Sequence, residues 1–417
     1  MLIQTDIIYS VAKQLLKQED SCQGILDVIA LAQAHPYWYP VLSIMNLDDI
    51  LDNEYNFDNN SSNDRGYIKY MEKLTAFMAN SSISKQVRFK PKRLLIDLDA
   101  LQKSRHDQHS IGAFNSALNQ LLSCCININH ITLLFGASTQ GDHLQYLAAT
   151  FQDISIRIPE LDLLTLRYRT TGKFSLFKEA QDYIENIIVP EIELDGPFGP
   201  DINLFTAIDK NPHIHNLTIR NSDISALLHL GMLWHKLKKI NVDALEPTAL
   251  LWVPFIVMVG STPSELTELS YQELTDNDLP CVASGFENLR FMPKLHPNLS
   301  VLKIHNIHFL GDEFLWSAWN HLSKLEHLQI SFSDALTGDI STLDKTKGWK
   351  RLKTLSLAGC RELQGSFPLL AIDMTQSLDF QLTLPSHVNI DQELLVRGFE
   401  FHGSSSTGQL WLRRETP

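Results

Sequence analysis

The sequence predicts an α/β solenoid in which short parallel strands stack side by side, with outer helices returning the chain, behind a small all-helical module. Three observations support this prediction. Apolar residues spaced by three positions and then two recur from Leu299, Leu325 and Leu352, which are 26 and 27 residues apart. A fixed period in this range is typical of stacked repeats. By contrast, the first fifty residues show apolar spacing typical of amphipathic helices.

The clearest repeat is WKRLKTLSLAGCRELQG, at 349–365. Leu355 and Leu357 alternate with polar residues, which predicts a strand buried on one face, and Leu352 precedes them by three positions. Cys360 stands where the chain would turn away from the strand, and a small side chain with few polar needs suits that crowded corner. One such unit cannot bury its apolar face alone, so neighbouring repeats must cover it.

Fainter copies of the spacing start at Ile214, Leu237 and Leu266. Downstream, the segments SLDFQLTLP and LVRGFEFHG predict closing strands, and helical patterns such as GDEFLWSAWNHLSKL fill the gaps between strands. Within that helical pattern, Trp316 and Trp319 lie three positions apart, which favours packing in a core over partner binding. Trp349 precedes a strand next to three cations, and the sequence leaves packing and binding equally open for it.

The spacing resembles the leucine-rich repeat, L-x-x-L-x-L-x-x-N/C-x-L. The C-x-x-L segment at 360–363 and S-D-A-L-T at 333–337 resemble the cysteine-containing repeat type, which is common in F-box proteins. The resemblance implies that residues 85–417 form an irregular array, with parallel strands along one side and helices along the other. It therefore raises the question of whether an F-box precedes the array.

The N-terminal residues 1–51 predict a compact helical module. Ile7, Ile8 and Val11 share one helical face, Ile25 and Leu26 belong to a second, and a third helix can open at residue 36. Three short helices bury too little apolar surface to be stable alone, so such a module usually completes its core with a partner. Residues 52–66 are rich in Asn, Asp and Ser, and 52–84 are predicted to be a linker and a connecting helix.

This module resembles an F-box, because IQTDII stands where that family has leucine-proline-x-glutamate followed by two aliphatic residues; Gln4 takes the place of the proline. The similarity is to fungal-like F-box proteins with C-terminal leucine-rich repeats. It implies docking on a Skp-type adaptor through Ile3, Ile7, Ile8, Val11, Leu15, Ile25, Leu26, Leu31, Pro36 and Trp38. The alternative is a helical cap, which every repeat array requires at its ends.

Composition argues against several classes of partner. The chain has 35 Lys+Arg against 48 Asp+Glu, a net charge of −13, so nucleic acid is not an expected partner. Five cysteines, of which only Cys124 and Cys125 are adjacent, form no C-x-x-C pair, which indicates free thiols and a cytoplasmic or nuclear location. The most apolar run, 249–260, is too short to span a bilayer and contains Pro254, so we expect a buried helix there and no membrane partner.

No sequence pattern points to catalysis. The chain contains no GxGxxG, Walker loop, GxSxG or HExxH motif. His305 and His308 lie three apart, as do His106 and His109, but neither pair has a nearby cysteine or a convincing set of carboxylates. We therefore expect a protein that is not an enzyme and that needs no cofactor or metal.

The combined resemblances imply a substrate receptor of an SCF-type cullin–RING ubiquitin ligase, in which the Skp-type adaptor and cullin core bind the N-terminal module and the array binds a target protein. The alternative is a leucine-rich-repeat interaction scaffold with no ubiquitin role. Strand side chains alternate, so the polar residues between the leucines are expected to face outward and contact the target. In the clearest repeats these are Lys303, His305, Gln329, Ser331, Lys353 and Ser356.

Overall fold

A computed structural model describes the following residues: 10–11, 14, 93–98, 116, 118–119, 122–123, 128–136, 145–168, 175–196, 198, 201–222, 233, 235–244, 264–273, 292–344, 346–406 and 408–413. The predicted helical module and linker lie outside the described residues, apart from the helical positions Ser10, Val11 and Gln14. The apolar run at 249–260, predicted to be a buried helix, also lies outside them. By internal contacts the chain divides into two units, Met1–Glu193 and Leu194–Pro417.

The first unit contains parallel strands in chain order. Strands β1 (Arg93–Asp97), β2 (His130–Phe135) and β3 (Leu163–Tyr168) are hydrogen-bonded neighbours, and all pair in parallel. Helix α1 (Gln145–Arg157) connects β2 to β3, and α2 (Lys178–Asn186) follows β3. Strand β4 (Glu191–Asp195) contains the boundary with the second unit. The crossover helix is what a parallel strand pair requires, because a tight turn would reverse the chain direction.

The second unit repeats this arrangement over a longer stretch. Its strands β5 to β11 are parallel neighbours in chain order. Its elements are α3 (Ile202–Lys210), β5 (Asn216–Ser222), β6 (Lys239–Ala244), β7 (Glu268–Glu273), α4 (Met292–Leu295), β8 (Val301–His305), α5 (Asp312–His321), β9 (His327–Ser331), β10 (Thr354–Ser356), α6 (Ser366–Met374), β11 (Gln381–Leu384), α7 (Asp391–Val396), β12 (Phe399–Ser404) and β13 (Gln409–Arg413).

The apolar spacing in the sequence corresponds to a continuous buried row in the second unit. The strand register aligns one aliphatic residue from each of β5 to β11, and every member is buried: Leu217, Ile240, Leu269, Leu302, Leu328, Leu355 and Leu382. Leu299, Leu325 and Leu352, which begin the three clearest repeats, are fully buried as well. The prediction of an α/β fold with parallel strands and inward-facing leucines is therefore confirmed.

The connection from β9 to β10 has no helix among its described residues, 332–344 and 346–353. The expectation that a helix returns the chain in every repeat is wrong here. Trp349 of this connection packs against Trp319 of α5 and Phe367 of α6; all three side chains are buried, with ring centroids 5.1–5.9 Å apart. Packing is thus confirmed for Trp319, and Trp349, which the sequence left open, also belongs to the core.

The chain closes with an antiparallel hairpin. Strand β13 inserts between β11 and β12 and runs antiparallel to both. The closing strands expected in SLDFQLTLP and LVRGFEFHG correspond to β11 and β12, whereas β13 was not predicted. Among the described residues no helix is long and apolar enough to cross a membrane.

Candidate interaction surface

The outward side chains of β5 to β11, which we call the outer strand face, form rows that cross the strands. In the middle row the register aligns one polar residue from each strand: Thr218, Asn241, Ser270, Lys303, Gln329, Ser356 and Thr383. Asn241 donates from Nδ2 to Thr218 Oγ1 over 3.3 Å, while Thr218 itself is buried and Lys303 is exposed. The row therefore presents amides, hydroxyls and one cation rather than an apolar stripe.

The structure brings most of the predicted target-contacting residues together on this face. Gln329 lies opposite both Lys303 and Ser356 in the register, and His305 lies opposite Ser331. Lys303 and Lys353 are exposed, whereas the side chains of His305, Gln329 and Ser356 are half-buried. Lys303, His305, Gln329 and Ser356 therefore belong to the outer strand face, whereas Lys353 precedes β10 and lies next to that face.

Ser331 corrects the prediction, because it is buried with only 3 % exposure. It lies at the end of β9, where its register partner is the much larger His305. A serine side chain is too short to extend beyond an imidazole beside it. The alternation of strand side chains therefore predicts the face on which Ser331 lies, but its exposure to solvent is lower than predicted.

At the amino end of the strands, cations and one carboxylate form a small network. Glu326 Oε2 accepts a hydrogen bond from Lys353 Nζ over 2.7 Å, and Arg351 Nη2 lies 3.1 Å from Glu326 Oε1. The hydrogen bond from Lys353 is the main cause of a lowered pKa for the Glu326 carboxyl. Lys353 is therefore already paired, which makes it a weaker candidate for contacting a partner than Lys303.

At the carboxyl end of the strands, a second row contains Arg220, Asp243, Gln272 and His305. Arg220 Nε lies 3.7 Å from Asp243 Oδ2. Burial raises the pKa of Asp243, and the positive charge of Arg220 opposes that shift. Burial and the nearby Lys303 lower the pKa of His305, which favours a neutral imidazole at neutral pH. Sequence analysis missed the Arg220–Asp243 pair, because residues 23 apart meet only through the strand register.

At the carboxyl end of four strands, one residue at the equivalent register position adopts the left-handed backbone conformation. These residues are Asn221 (φ 53°), Asn306 (φ 60°), Phe332 (φ 58°) and Gly359 (φ 72°). Asn and Gly tolerate this conformation, whereas a bulky side chain such as Phe is an outlier. Cys360 follows Gly359, fully buried as predicted, and burial raises its pKa to about 11.

Only Val11 among the predicted adaptor-binding residues is described; it has helical backbone and is 38 % exposed. The other nine lie outside the described residues. Within the described ranges no group of three or more His, Cys, Asp or Glu is placed to hold a metal ion. His305 and His308 are both described and both lie near β8, but His308 Nδ1 contacts Asp334 Oδ2 at 2.9 Å instead of facing His305.

The sequence matches no family model and no curated protein.

Proposed function

We propose that this protein is a non-enzymatic substrate receptor of an SCF-type cullin–RING ubiquitin ligase. In this proposal the outer strand face binds a target protein, and residues 3–43 bind a Skp-type adaptor. The observation that supports target binding is the unbroken row of polar side chains across seven parallel strands. Support for adaptor binding comes from the IQTDII segment and the apolar helical face that begins with it.

The size of the outer strand face suits a protein partner. Adjacent strands lie about 4.8 Å apart, so a row of this length extends over roughly 29 Å. A standard protein–protein interface buries about 800 Å² on each side, which such a face can supply. Its hydroxyls, amides and mixed charges favour a partner recognised by hydrogen bonds and charge complementarity.

In this role the chain contributes proximity, not bond chemistry. A receptor that holds a target beside a separate catalytic subunit raises the rate by converting a bimolecular encounter into a local one. The N-terminal helices supply the second attachment, since a module of three short helices leaves apolar surface that a partner would cover. Large aliphatic and aromatic residues such as Ile8 and Trp38 usually dominate interfaces of this kind.

Size-exclusion chromatography of the full chain with a purified Skp-type adaptor tests the proposal. We expect co-elution at micromolar concentration, and its loss in Ile8→Asp and Trp38→Ala. Ile8→Val is the matched control, because it keeps an aliphatic side chain and should still co-elute. Circular dichroism melts of all variants check that the array remains folded.

Separate elution of the wild-type chain and the adaptor would refute the ubiquitin role. The N-terminal helices would then be a cap, and the outer strand face would belong to an interaction scaffold. Substituting Ser356→Glu on that face tests target binding separately from adaptor binding. It should weaken target binding, because a larger acidic side chain replaces the serine opposite Gln329, while leaving adaptor co-elution unchanged.

A further inference from the structure

Phe332 is the bulky exception among the residues with this left-handed backbone. The equivalent positions at the carboxyl ends of β5, β8 and β10 hold Asn221, Asn306 and Gly359. A left-handed backbone brings Cβ close to the following carbonyl oxygen, which is unfavourable for a phenylalanine. Full burial of the ring does not offset this cost, because Phe332 is 38 % exposed. Strained residues of this kind cluster at functional sites, where the surrounding structure holds them in place.

The neighbouring strand holds the Phe332 ring in one position. Phe332 N donates to Ala358 O over 3.0 Å. A Cβ built on Gly359 would approach Phe332 Cδ1 to 2.6 Å and Cε1 to 2.8 Å. The ring therefore occupies space that only a glycine at 359 leaves open. A pre-positioned aromatic ring loses little entropy on association, which is why such rings often anchor interfaces.

Exposed cations lie on both sides of β9, which ends next to Phe332: Lys303 in β8, and Arg361 after β10. No described carboxylate lies within ion-pair distance of Lys303. Burial is the main cause of the lowered pKa of His305; the charge of Lys303 adds to that shift, and Asp243 opposes it. Arg361 is 80 % exposed and lies 3.7 Å from Asp334, a carboxylate that it shares with His308. The segments beside Phe332 therefore present one cation without an ion-pair partner and one paired but largely exposed cation, in a chain with a net charge of −13.

The strand register gives the approximate separation of the Cα atoms of Phe332 and Lys303. Lys303 lies opposite Gln329, three residues before Phe332 on the adjacent strand. With a rise of about 3.3 Å per residue and about 4.8 Å between strands, the two Cα atoms are roughly 11 Å apart. An extended peptide covers this distance in about three residues. A side chain packed on the ring and a carboxylate two or three residues away can therefore engage both groups at once.

We propose that the outer strand face around Phe332 binds an extended acidic segment of a partner protein. An apolar side chain of that segment packs on the Phe332 ring, and carboxylates on its two sides meet Lys303 and Arg361. This inference rests on the proposed role of the outer strand face in target binding, and it adds the chemistry of the segment that the face accepts. It does not depend on whether the N-terminal helices bind an adaptor.

Fluorescence anisotropy with three labelled peptides tests the proposal on the full chain. The probe is GDDLDDG, and the comparison peptides are GDDSDDG, which lacks the apolar side chain, and GKKLKKG, which reverses the charge. We expect GDDLDDG to bind at least tenfold more tightly than either comparison peptide. Affinity should fall as salt is raised, because charge contributes to it. Equal binding of the leucine and serine peptides would overturn the proposed anchor.

Phe332→Asn is the decisive variant, because Asn306 occupies the equivalent position in the neighbouring repeat. Asparagine tolerates the left-handed backbone, so the variant should fold with a melting temperature equal to or above that of the wild type. Its affinity for GDDLDDG should fall at least tenfold. Unchanged affinity, or a melting temperature clearly below that of the wild type, would show that the ring is structural and not an anchor.

Lys303→Glu tests the charge component. We expect at least a tenfold loss for GDDLDDG and a gain for GKKLKKG. Lys350→Glu makes the same charge change at an exposed residue outside the outer strand face, and should leave both affinities within twofold of the wild type. Equal effects of the two variants would mean that net charge alone governs binding, which would overturn the proposed site. Adaptor co-elution of the same preparations reports separately on the ubiquitin role.

Discussion

The Trp349 indole packs edge-on against Trp319, with ring centroids 5.1 Å apart and ring planes 64° apart. Each indole N–H also donates a hydrogen bond to a backbone carbonyl: Trp349 Nε1 to Ala318 O, and Trp319 Nε1 to Asp344 O. Trp319 belongs to α5, whereas Trp349 lies in the connection from β9 to β10, which has no helix among its described residues. The Trp349 ring thus provides buried apolar surface from a connection without a described helix.

Trp349→Ala should therefore destabilise the second unit strongly. Removing a buried aromatic side chain typically costs about 3–5 kcal/mol, because it leaves a cavity and loses contacts on all sides. Urea unfolding followed by circular dichroism measures this cost. Trp316→Ala is the control: its ring is half-buried, and it donates one hydrogen bond, to Asp339 O. A smaller loss is expected for Trp316→Ala, and comparable losses would argue against the Trp319–Trp349 pair as part of the core of the second unit.

Leu355→Asp and Ser356→Asp place the same carboxylate on the two faces of β10. Leu355 is 1 % exposed and would bury a charge, whereas Ser356 points outward and is half-buried. An uncompensated buried carboxyl costs several kcal/mol, so we expect about 3 kcal/mol or more for Leu355→Asp and less than about 1 kcal/mol for Ser356→Asp. Thermal melts at neutral pH distinguish them. Equal losses would show that the assignment of inward and outward faces is wrong.

The stability of the second unit should fall on acidification because of His296. Its ring is buried, Nδ1 lies 2.8 Å from Ser264 Oγ, and burial lowers its pKa to about 4. The unfolded chain binds the proton near pH 6.5, so the contribution of the neutral ring is complete above that pH and is lost as pH falls toward 4. The difference corresponds to about 3 kcal/mol at most.

His296→Gln tests this, since glutamine can still hydrogen-bond to Ser264 but does not titrate. Urea midpoints measured from pH 7.5 to 4.5 should fall less steeply in this variant than in the wild type. His402→Gln, at an exposed position, is the matched control and should retain the wild-type slope. If the urea midpoint of the His296→Gln variant falls as steeply with pH as that of the wild type, His296 is not the cause of the loss of stability.

Cys360 should resist alkylation while the chain is folded. Burial raises its pKa to about 11, and its Sγ lies 3.7 Å from Ile330 O. At pH 8 the reactive thiolate is then only about one part in a thousand of the population. Iodoacetamide labelling followed by mass spectrometry of the Cys360 peptide measures this directly. Labelling should become fast in urea, and rapid labelling of the native chain would contradict the burial of the thiol.

The raised pKa of Cys360 should make the stability of the folded chain fall at high pH. The raised pKa means that the folded chain holds the thiol proton more tightly than the unfolded chain does. This contribution is complete below about pH 9 and is lost as pH rises toward 11. Cys360→Ala removes the titrating group, so its midpoint should decline less over this range than that of the wild type.

Local spacing was enough to predict the strands and the buried residues of the three clearest repeats. Leu302 and Ile304, Leu328 and Ile330, and Leu355 and Leu357 alternate with polar residues, and all six are buried. A strand places alternate side chains on opposite faces, so this assignment depends on nothing beyond the next few residues. The corner position of Cys360 could be predicted for the same reason.

Pairings between strands could not be predicted in this way. Arg220 meets Asp243 only because β5 and β6 adopt one particular register, and a relative shift of a single residue would place the two side chains on opposite faces of the sheet. Ser331 is buried for a related reason, since its exposure depends on the size of its neighbour His305 across the register. Such properties belong to pairs of segments, and neither segment encodes them alone.

The sequence by itself determined that this is an α/β protein of parallel strands whose leucines form a continuous core, because side-chain alternation is a local property of extended backbone. Only the tertiary structure decided that Trp349, before β10, packs on Trp319 of α5, that β13 inserts between β11 and β12, and that Phe332 has a left-handed backbone with its ring next to Gly359. These outcomes depend on which distant groups fill the space beside a segment. Packing and register set them only once the whole unit is assembled.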